Sequence, residues 1–165
     1  MTNVLFVCLG NICRSPLAEA LFNHHVTRMG LTVHYRADSC GTANYHVGDP
    51  PDHRTIRNAE QNGVIIRHRG RQFHPLDFEG FDHILPMDQS NYSNIARMDE
   101  SGKWLSKVRL MRTFDPTPDE LSVPDPYYGN EKDFQKVFDI LNRSTLELIR
   151  FLEDTRGSGG DRSVL

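Results

Sequence analysis

The chain opens on Asn3-Val4-Leu5-Phe6-Val7-Cys8, a β-branched and aromatic run that is apolar on both faces, the pattern of a strand buried inside a parallel sheet. A short glycine-containing loop follows. Ser15-Pro16 then reads as a helix N-cap with proline at the first helical position, and Leu17, Ala18, Leu21, Phe22 and Val26 recur behind it at helical spacing. The same reading predicts a second strand over 32–39, a second helix over 52–62 closed by Gly63, a third strand over 81–87 and a helix over 89–98. A short fourth strand is predicted over 107–111. Pro116, Pro118, Pro124 and Pro126 make 115–126 a long loop. Residues 131–153 carry the strongest helical pattern, with Phe134, Val137, Phe138, Leu141, Leu148 and Leu152 on one stripe. Strands alternating with helices predict an α/β sandwich with a parallel sheet of about four strands, joined by right-handed crossovers.

A length of 165 residues with 38% hydrophobic side chains suits one domain with its own core, over 1–156. The last segment, 157–165, has too few apolar groups to offset its ordering entropy and is expected to be a disordered tail. A formal charge of −3 without one-sign blocks gives no reason to expect nucleic acid as a partner. No apolar run approaches the ~20 residues of a membrane span, and the N-terminus has no secretory pattern. Three cysteines, an odd number, make a poor disulfide framework, so a reducing cytoplasm is the expected location.

In a parallel sheet the carboxyl ends of the strands share one edge, where ligands bind. That edge collects the loop after Cys8, the turn after Ser39, Met87-Asp88, and the loop carrying Asp125. The first exit, Cys8-Leu9-Gly10-Asn11-Ile12-Cys13-Arg14-Ser15, ends a strand on a thiol and leads straight into a helix. A loop that curls there points successive amides inward, with the helix dipole behind them, and makes a site for a tetrahedral oxyanion such as phosphate. Arg14 can grip two phosphate oxygens with its planar fork. The same positive field favours a nucleophilic thiolate at Cys8. Cys8 with Cys13 makes no metal pair, and the eight histidines show no ligand spacing, so neither metal nor other cofactor is expected.

Cys8-x5-Arg14-Ser15, the Val47-Gly48-Asp49-Pro50 turn, Met87-Asp88 and Asp125-Pro126-Tyr127-Tyr128-Gly129, in that order, resemble the low-molecular-weight protein tyrosine phosphatases over about residues 3–155. The resemblance implies a flavodoxin-like three-layer sandwich with strand order 2-1-3-4 and helices on both faces. It also implies a hydrolase acting on phosphotyrosine, with Cys8 as nucleophile, Arg14 and the amides of residues 9–15 as phosphate ligands, and Asp125 as acid and then base. By the same resemblance Ser15 donates to the Cys8 sulfur, while Asn11, Ser39 and His68 brace the loop. Asp88 either positions the loop or caps the following helix. Tyr45, Tyr127 and Tyr128 form aromatic walls, Tyr127 and Tyr128 being phosphorylation targets in the family. Cys8 and Cys13 become a redox pair that protects the nucleophile.

The implied partner is a tyrosine-phosphorylated protein, a tyrosine kinase among them, met by a monomer. Two departures from the family pattern stand near the site: Cys40 fills a position usually held by alanine, and Pro86 precedes Met87-Asp88. Three rivals share the scaffold. An arsenate reductase would need cysteines beyond Cys40, and none follows. Phosphoarginine phosphatases of the family carry threonine where this chain has Ile12. A phosphate-binding module without catalysis would have no use for both Cys8 and Asp125.

Overall fold

The computed structural model describes residues 1–159. Strand β1 (Thr2–Cys8) lies at the centre of a parallel sheet, between β2 (Tyr35–Gly41) and β3 (His83–Pro86), in the order β2-β1-β3. The register runs from Thr2 opposite Tyr35 to Cys8 opposite Gly41 on one side, and from Val4 opposite His83 to Val7 opposite Pro86 on the other. All three strands therefore deliver their ends to the same edge.

Because side chains alternate along a strand, the doubly apolar β1 serves two cores. Val4, Phe6 and Cys8 pack with Leu17, Leu21 and Phe22 of α1 (Arg14–Arg28), and with Phe138, Leu141 and Leu148 of the C-terminal helix. Leu5 and Val7 pack against Phe78, Ile84 and Ile95 on the opposite face. That second face is covered by α3 (Asp77–Gly80) and α4 (Gln89–Met98), while α2 (His53–Gln61) sits beside α5 (Glu131–Gly159). The three-layer α/β arrangement with helices on both faces matches the alternation read from the sequence.

Four expectations need correction. The strand expected over 107–111 is a single bridge between Ile84 and Val108, so among the described residues the sheet has three strands. The Val108 amide closes the preceding 3₁₀ turn on Leu105 and Thr113 closes the next on Leu110, so beside the bridge only the Arg109 amide reaches the sheet, at Ile84 O, 3.0 Å. The short helix Asp77–Gly80 was not foreseen. Ser15 is not the N-cap of α1: the helix starts at Arg14, with Cys13 at its cap position and no capping side chain. Pro16 still lies in the first turn, where no backbone donor is required of it. Finally α5 continues to Gly159, so residues 157–159 are helical; the rest of the expected tail lies outside the described residues.

The long proline-rich loop starts from a buried ion pair. The carboxylate of Asp115 accepts Arg143 Nε at 2.7 Å and Arg112 Nε at 3.0 Å, with both Asp115 and Arg112 almost wholly enclosed. Burial alone would raise the Asp115 carboxyl, yet Arg143, the Thr117 amide and Arg112 hold it at about 2. A carboxyl held that far below its unfolded value contributes about 2 kcal/mol of stability above pH ~4, lost as pH falls toward 2. Asp115→Asn should cost about 3 kcal/mol at neutral pH, the scale of a broken buried pair. Its unfolding free energy should also fall less between pH 4 and pH 2 than that of the unmodified protein. Parallel pH curves by urea unfolding would contradict this role.

Candidate active site

Residues 9–13 curl between the end of β1 and the start of α1, and three carbonyls of 8–12 are tied to neighbouring segments. Thr42 N donates to Cys8 O at 2.9 Å, Ala43 N to Leu9 O at 3.0 Å, and Asp52 N to Ile12 O at 2.8 Å. Asp52 is also the N-cap of α2, accepting from Arg54 N at 2.9 Å, so that helix start is joined to the loop. Among the described residues the amides of Gly10, Ile12 and Cys13 donate to no protein acceptor. With those three carbonyls tied back, these amides face inward in front of the α1 N-terminus, an arrangement that takes an anion.

Two backbone details make the curl possible. Asn11 adopts φ 57°, a left-handed conformation that asparagine tolerates better than most residues. Gly41, at the end of β2, lies so close to the loop that a Cβ there would stand 2.7 Å from Leu9 O, so the strand passes only because that residue has no side chain.

At the floor of the curl, Cys8 Sγ lies 3.0 Å from Ser15 Oγ and accepts the Asn11 amide at 3.3 Å. These are contacts that a thiolate accepts. Arg14 is buried and held from outside the cradle: Nη1 donates to Asp88 Oδ2 at 2.7 Å and to Val123 O at 3.0 Å. Burial alone would lower its guanidinium, and the Cys8 sulfur, Asp88 and Asp125 reverse that and raise it above its ordinary range. The other oxygen of Asp88, Oδ1, caps α4 by accepting Asn91 N at 2.7 Å.

A chain of side chains braces the loop from behind. Asn11 Nδ2 donates to Ser15 Oγ at 2.8 Å and to Ser39 Oγ at 3.0 Å. Its Oδ1 faces His68 Nε2 at 2.7 Å and accepts Arg71 N at 3.0 Å. Ser39 Oγ donates to Glu19 Oε2 at 2.6 Å, and His68 Nδ1 lies 3.0 Å from the same oxygen. His68 thus bridges the loop and α1, with Asn11 at one ring nitrogen and Glu19 at the other. Glu19, Asp38 and His68 are near enough to one another to share an ion, but Glu19 pairs with His68, and Asp38 is taken up by Arg71 at 2.9 Å.

The mouth is a cleft of about 330 Å³ whose lining includes Cys8, Arg14, Ile12, Asp125 and the tyrosines Tyr45, Tyr127 and Tyr128. Asp125 stands at the rim with Oδ2 3.4 Å from Arg14 Nη2 and Oδ1 accepting Tyr127 N at 3.2 Å. The Tyr127 ring is backed by the Arg54 guanidinium at 5.4 Å and meets Tyr128 edge-on at 5.0 Å. Cys13 is buried near the cradle, and burial pushes its thiol up to about 12. Cys40 is enclosed in the second core, and its carbonyl lies 3.3 Å from Ser15 Oγ as an alternative acceptor for that hydroxyl. Pro86 ends β3 opposite Val7, and the next residue, Met87, supplies the amide to Val7 O at 2.9 Å.

The family model for low molecular weight phosphotyrosine protein phosphatase matches residues 3–157. The chain belongs to that family. The human low molecular weight phosphotyrosine protein phosphatase is 43% identical over 137 residues, covering 82% of this chain and 86% of that protein. The enzyme of the same name from Saccharomyces cerevisiae is 43% identical over 140 residues, with 82% and 86% coverage. A solved protein tyrosine phosphatase from Entamoeba histolytica superposes with a TM-score of 0.91 at 38% identity, over 94% of this chain and 99% of its own. A Drosophila arginine phosphatase gives 0.85 at 30%, over 92% and 98%.

Glu19, His46 and the Val123 carbonyl are among the contributors to this phosphatase site that the sequence does not mark outright. Glu19 had a visible signal, since it lies four residues after Ser15 and so on the same helical face. His46, which also lines the cleft, and the Val123 carbonyl on Arg14 had none, because loop path and backbone direction leave no mark on composition. Asn11→Gly keeps the left-handed backbone and removes the amide group. It should weaken competitive inhibition by inorganic phosphate about tenfold or more, the scale of one or two lost hydrogen bonds. An unchanged inhibition constant would show that the brace is not needed to shape the cradle.

Proposed function

We propose that this family member hydrolyses phosphotyrosine in proteins through a phosphocysteine intermediate. The observation that carries the reading is that Cys8, Arg14 and Asp125 line one cleft whose mouth is walled by Tyr45, Tyr127 and Tyr128. A phosphate monoester entering the cradle places its nonbridging oxygens on the inward amides of residues 9–15 and on the Arg14 fork. Cys8 Sγ, beneath the phosphorus, attacks in line, forming the S–P bond as the P–O bond to the tyrosine breaks. Asp125 at the rim, on the side where the leaving group departs, gives its proton to the phenolate oxygen. The resulting carboxylate then takes a proton from the water that attacks phosphocysteine, releasing inorganic phosphate and the thiolate. Ser15, 3.0 Å from the sulfur, donates to it as the negative charge returns.

The lining of the cleft argues for tyrosine: Ile12 and the aromatic rings of Tyr45 and Tyr127 offer a flat ring apolar contact that a short aliphatic ester would forgo. Ile12, which sets the chain apart from phosphoarginine phosphatases of the family, offers the ring an apolar contact. The partners proposed are tyrosine-phosphorylated proteins, including kinases, met by a cytoplasmic monomer whose residues 1–156 act as one domain. No helix among the described residues is long and apolar enough to cross a membrane. Cys8 and Cys13 are proposed as the redox pair. With burial holding Cys13 up at about 12, its attack on an oxidised Cys8 would be slow at neutral pH and faster in alkali.

Cys8→Ser should abolish turnover while inorganic phosphate or vanadate still binds, because the hydroxyl keeps the loop but is a far weaker nucleophile. Substantial residual hydrolysis would rule out the covalent route. Asp125→Ala should lower kcat on phenyl phosphate by about 10²- to 10⁴-fold, with a smaller loss on esters whose alcohols leave without protonation. Equal losses on both would remove Asp125 as the acid. Peptides carrying phosphotyrosine should exceed phosphoserine peptides in kcat/KM by orders of magnitude, and comparable rates would sink the tyrosine assignment.

A further inference from the structure

Residues 115–126 carry Asp125 to the rim with four prolines and no regular secondary structure, so something other than a helix or strand must hold them. Arg112 does this from within the core. Its side chain is 1% exposed, and it belongs to the 3₁₀ turn Met111–Phe114 just before the loop. Nε donates to Asp115 Oδ2 at 3.0 Å where the loop begins, Nη2 to Asp119 Oδ1 at its bend, and Nη1 to Ser122 O at 2.9 Å on its return. One planar fork thus ties three points of the loop together, a geometry lysine cannot reproduce.

The return point matters most. The residue after Ser122 is Val123, whose amide donates to Met87 O at 2.8 Å and whose carbonyl accepts Arg14 Nη1 at 3.0 Å. Asp125 follows two residues later, between Pro124 and Pro126, each with a fixed φ. From the guanidinium of Arg112 to the carboxyl of Asp125 there is little slack. Arg112 is not part of the lining of the cleft, so it meets no substrate.

We propose that Arg112 is a positioning residue for the general acid, setting where the Asp125 carboxyl stands relative to the leaving oxygen. The inference rests on the reading of Asp125 as the acid. A residue that merely stabilised the fold would affect all substrates alike; one that places the acid affects those that need its proton.

The test measures kcat on phenyl phosphate and on a dinitrophenyl phosphate, whose alcohol leaves unprotonated, for Arg112→Lys, Asp125→Asn and the double variant. Arg112→Lys should lose about tenfold or more on phenyl phosphate, the scale of a small misplacement, and twofold or less on the activated ester. Its inhibition by inorganic phosphate should stay within about twofold, since Asp88 still holds Arg14. Adding Arg112→Lys to Asp125→Asn should cost nothing further on phenyl phosphate.

Equal losses on both esters, or an undiminished loss in the Asp125→Asn background, would overturn the proposal. So would leaving-group dependence in Asp125→Asn with none in Arg112→Lys, which leaves the acid assignment standing. If Asp125→Asn itself shows no leaving-group dependence, the acid assignment fails and the proposal falls with it. Should Arg112→Lys fail to fold, Asp119→Asn carries the test, because that side chain is 67% exposed and only one tie of the fork is weakened. It should show a smaller loss, about two- to fivefold, confined to phenyl phosphate; no loss, or the same loss on both esters, would overturn the proposal.

Discussion

Everything in this site depends on where the carbonyls of residues 8–12 point. A five-residue link between a strand and a helix has as many acceptors as donors, and it binds an anion only if the acceptors are held elsewhere. Here the Cys8, Leu9 and Ile12 carbonyls accept from Thr42, Ala43 and Asp52, so the cradle is an indirect product of β2's exit and the α2 cap. The left-handed Asn11 is the local cost, on the order of 1 kcal/mol, and the same residue offsets it. Its side-chain amide meets Ser15, Ser39 and His68, joining the strained point to buried groups on three other segments.

Arg14 shows the same economy in its charge. A guanidinium buried to this degree needs partners, and Asp88 and the Val123 carbonyl supply them from the side away from the cradle. Asp125 touches it from the rim at 3.4 Å, which is long for a charge-assisted hydrogen bond. On the proposed reading, a phosphate in the cradle takes up that end of the fork and leaves the carboxyl to turn to the leaving oxygen. The long contact thus leaves the Asp125 carboxyl at the rim, beside the fork.

Much of this was legible in the residues. The doubly apolar β1 announced a central parallel strand because burial on both faces leaves no polar alternation. Cys8, Arg14 and Ser15 marked the loop because strand end, fork and helix start have a fixed spacing along the chain. The reading failed where backbone bonding overrides side-chain pattern. Residues 107–111 look like a strand by composition, yet one 3₁₀ turn takes the Lys107 and Val108 amides and the next takes the Leu110 carbonyl. Ser15 looks like a cap, but its hydroxyl is drawn to a sulfur seven positions earlier that local pattern cannot place. Arg112 gave no signal at all, since one arginine in a chain with 25% charged residues reads as surface until its burial is seen.

The claim on which the account turns is that the sulfur at the floor of the cradle becomes covalently bound to phosphorus. The direct measurement is to mix the Asp125→Ala protein with a phosphotyrosine peptide, quench in acid within the first turnover, and map the phosphoryl group by mass spectrometry. Phosphorus is expected on the peptide containing Cys8, as an acid-stable, iodine-labile thiophosphate ester that disappears in Cys8→Ser. Phosphorus on a histidine or serine, or hydrolysis with no labelled enzyme when the second step is slowed, would contradict it.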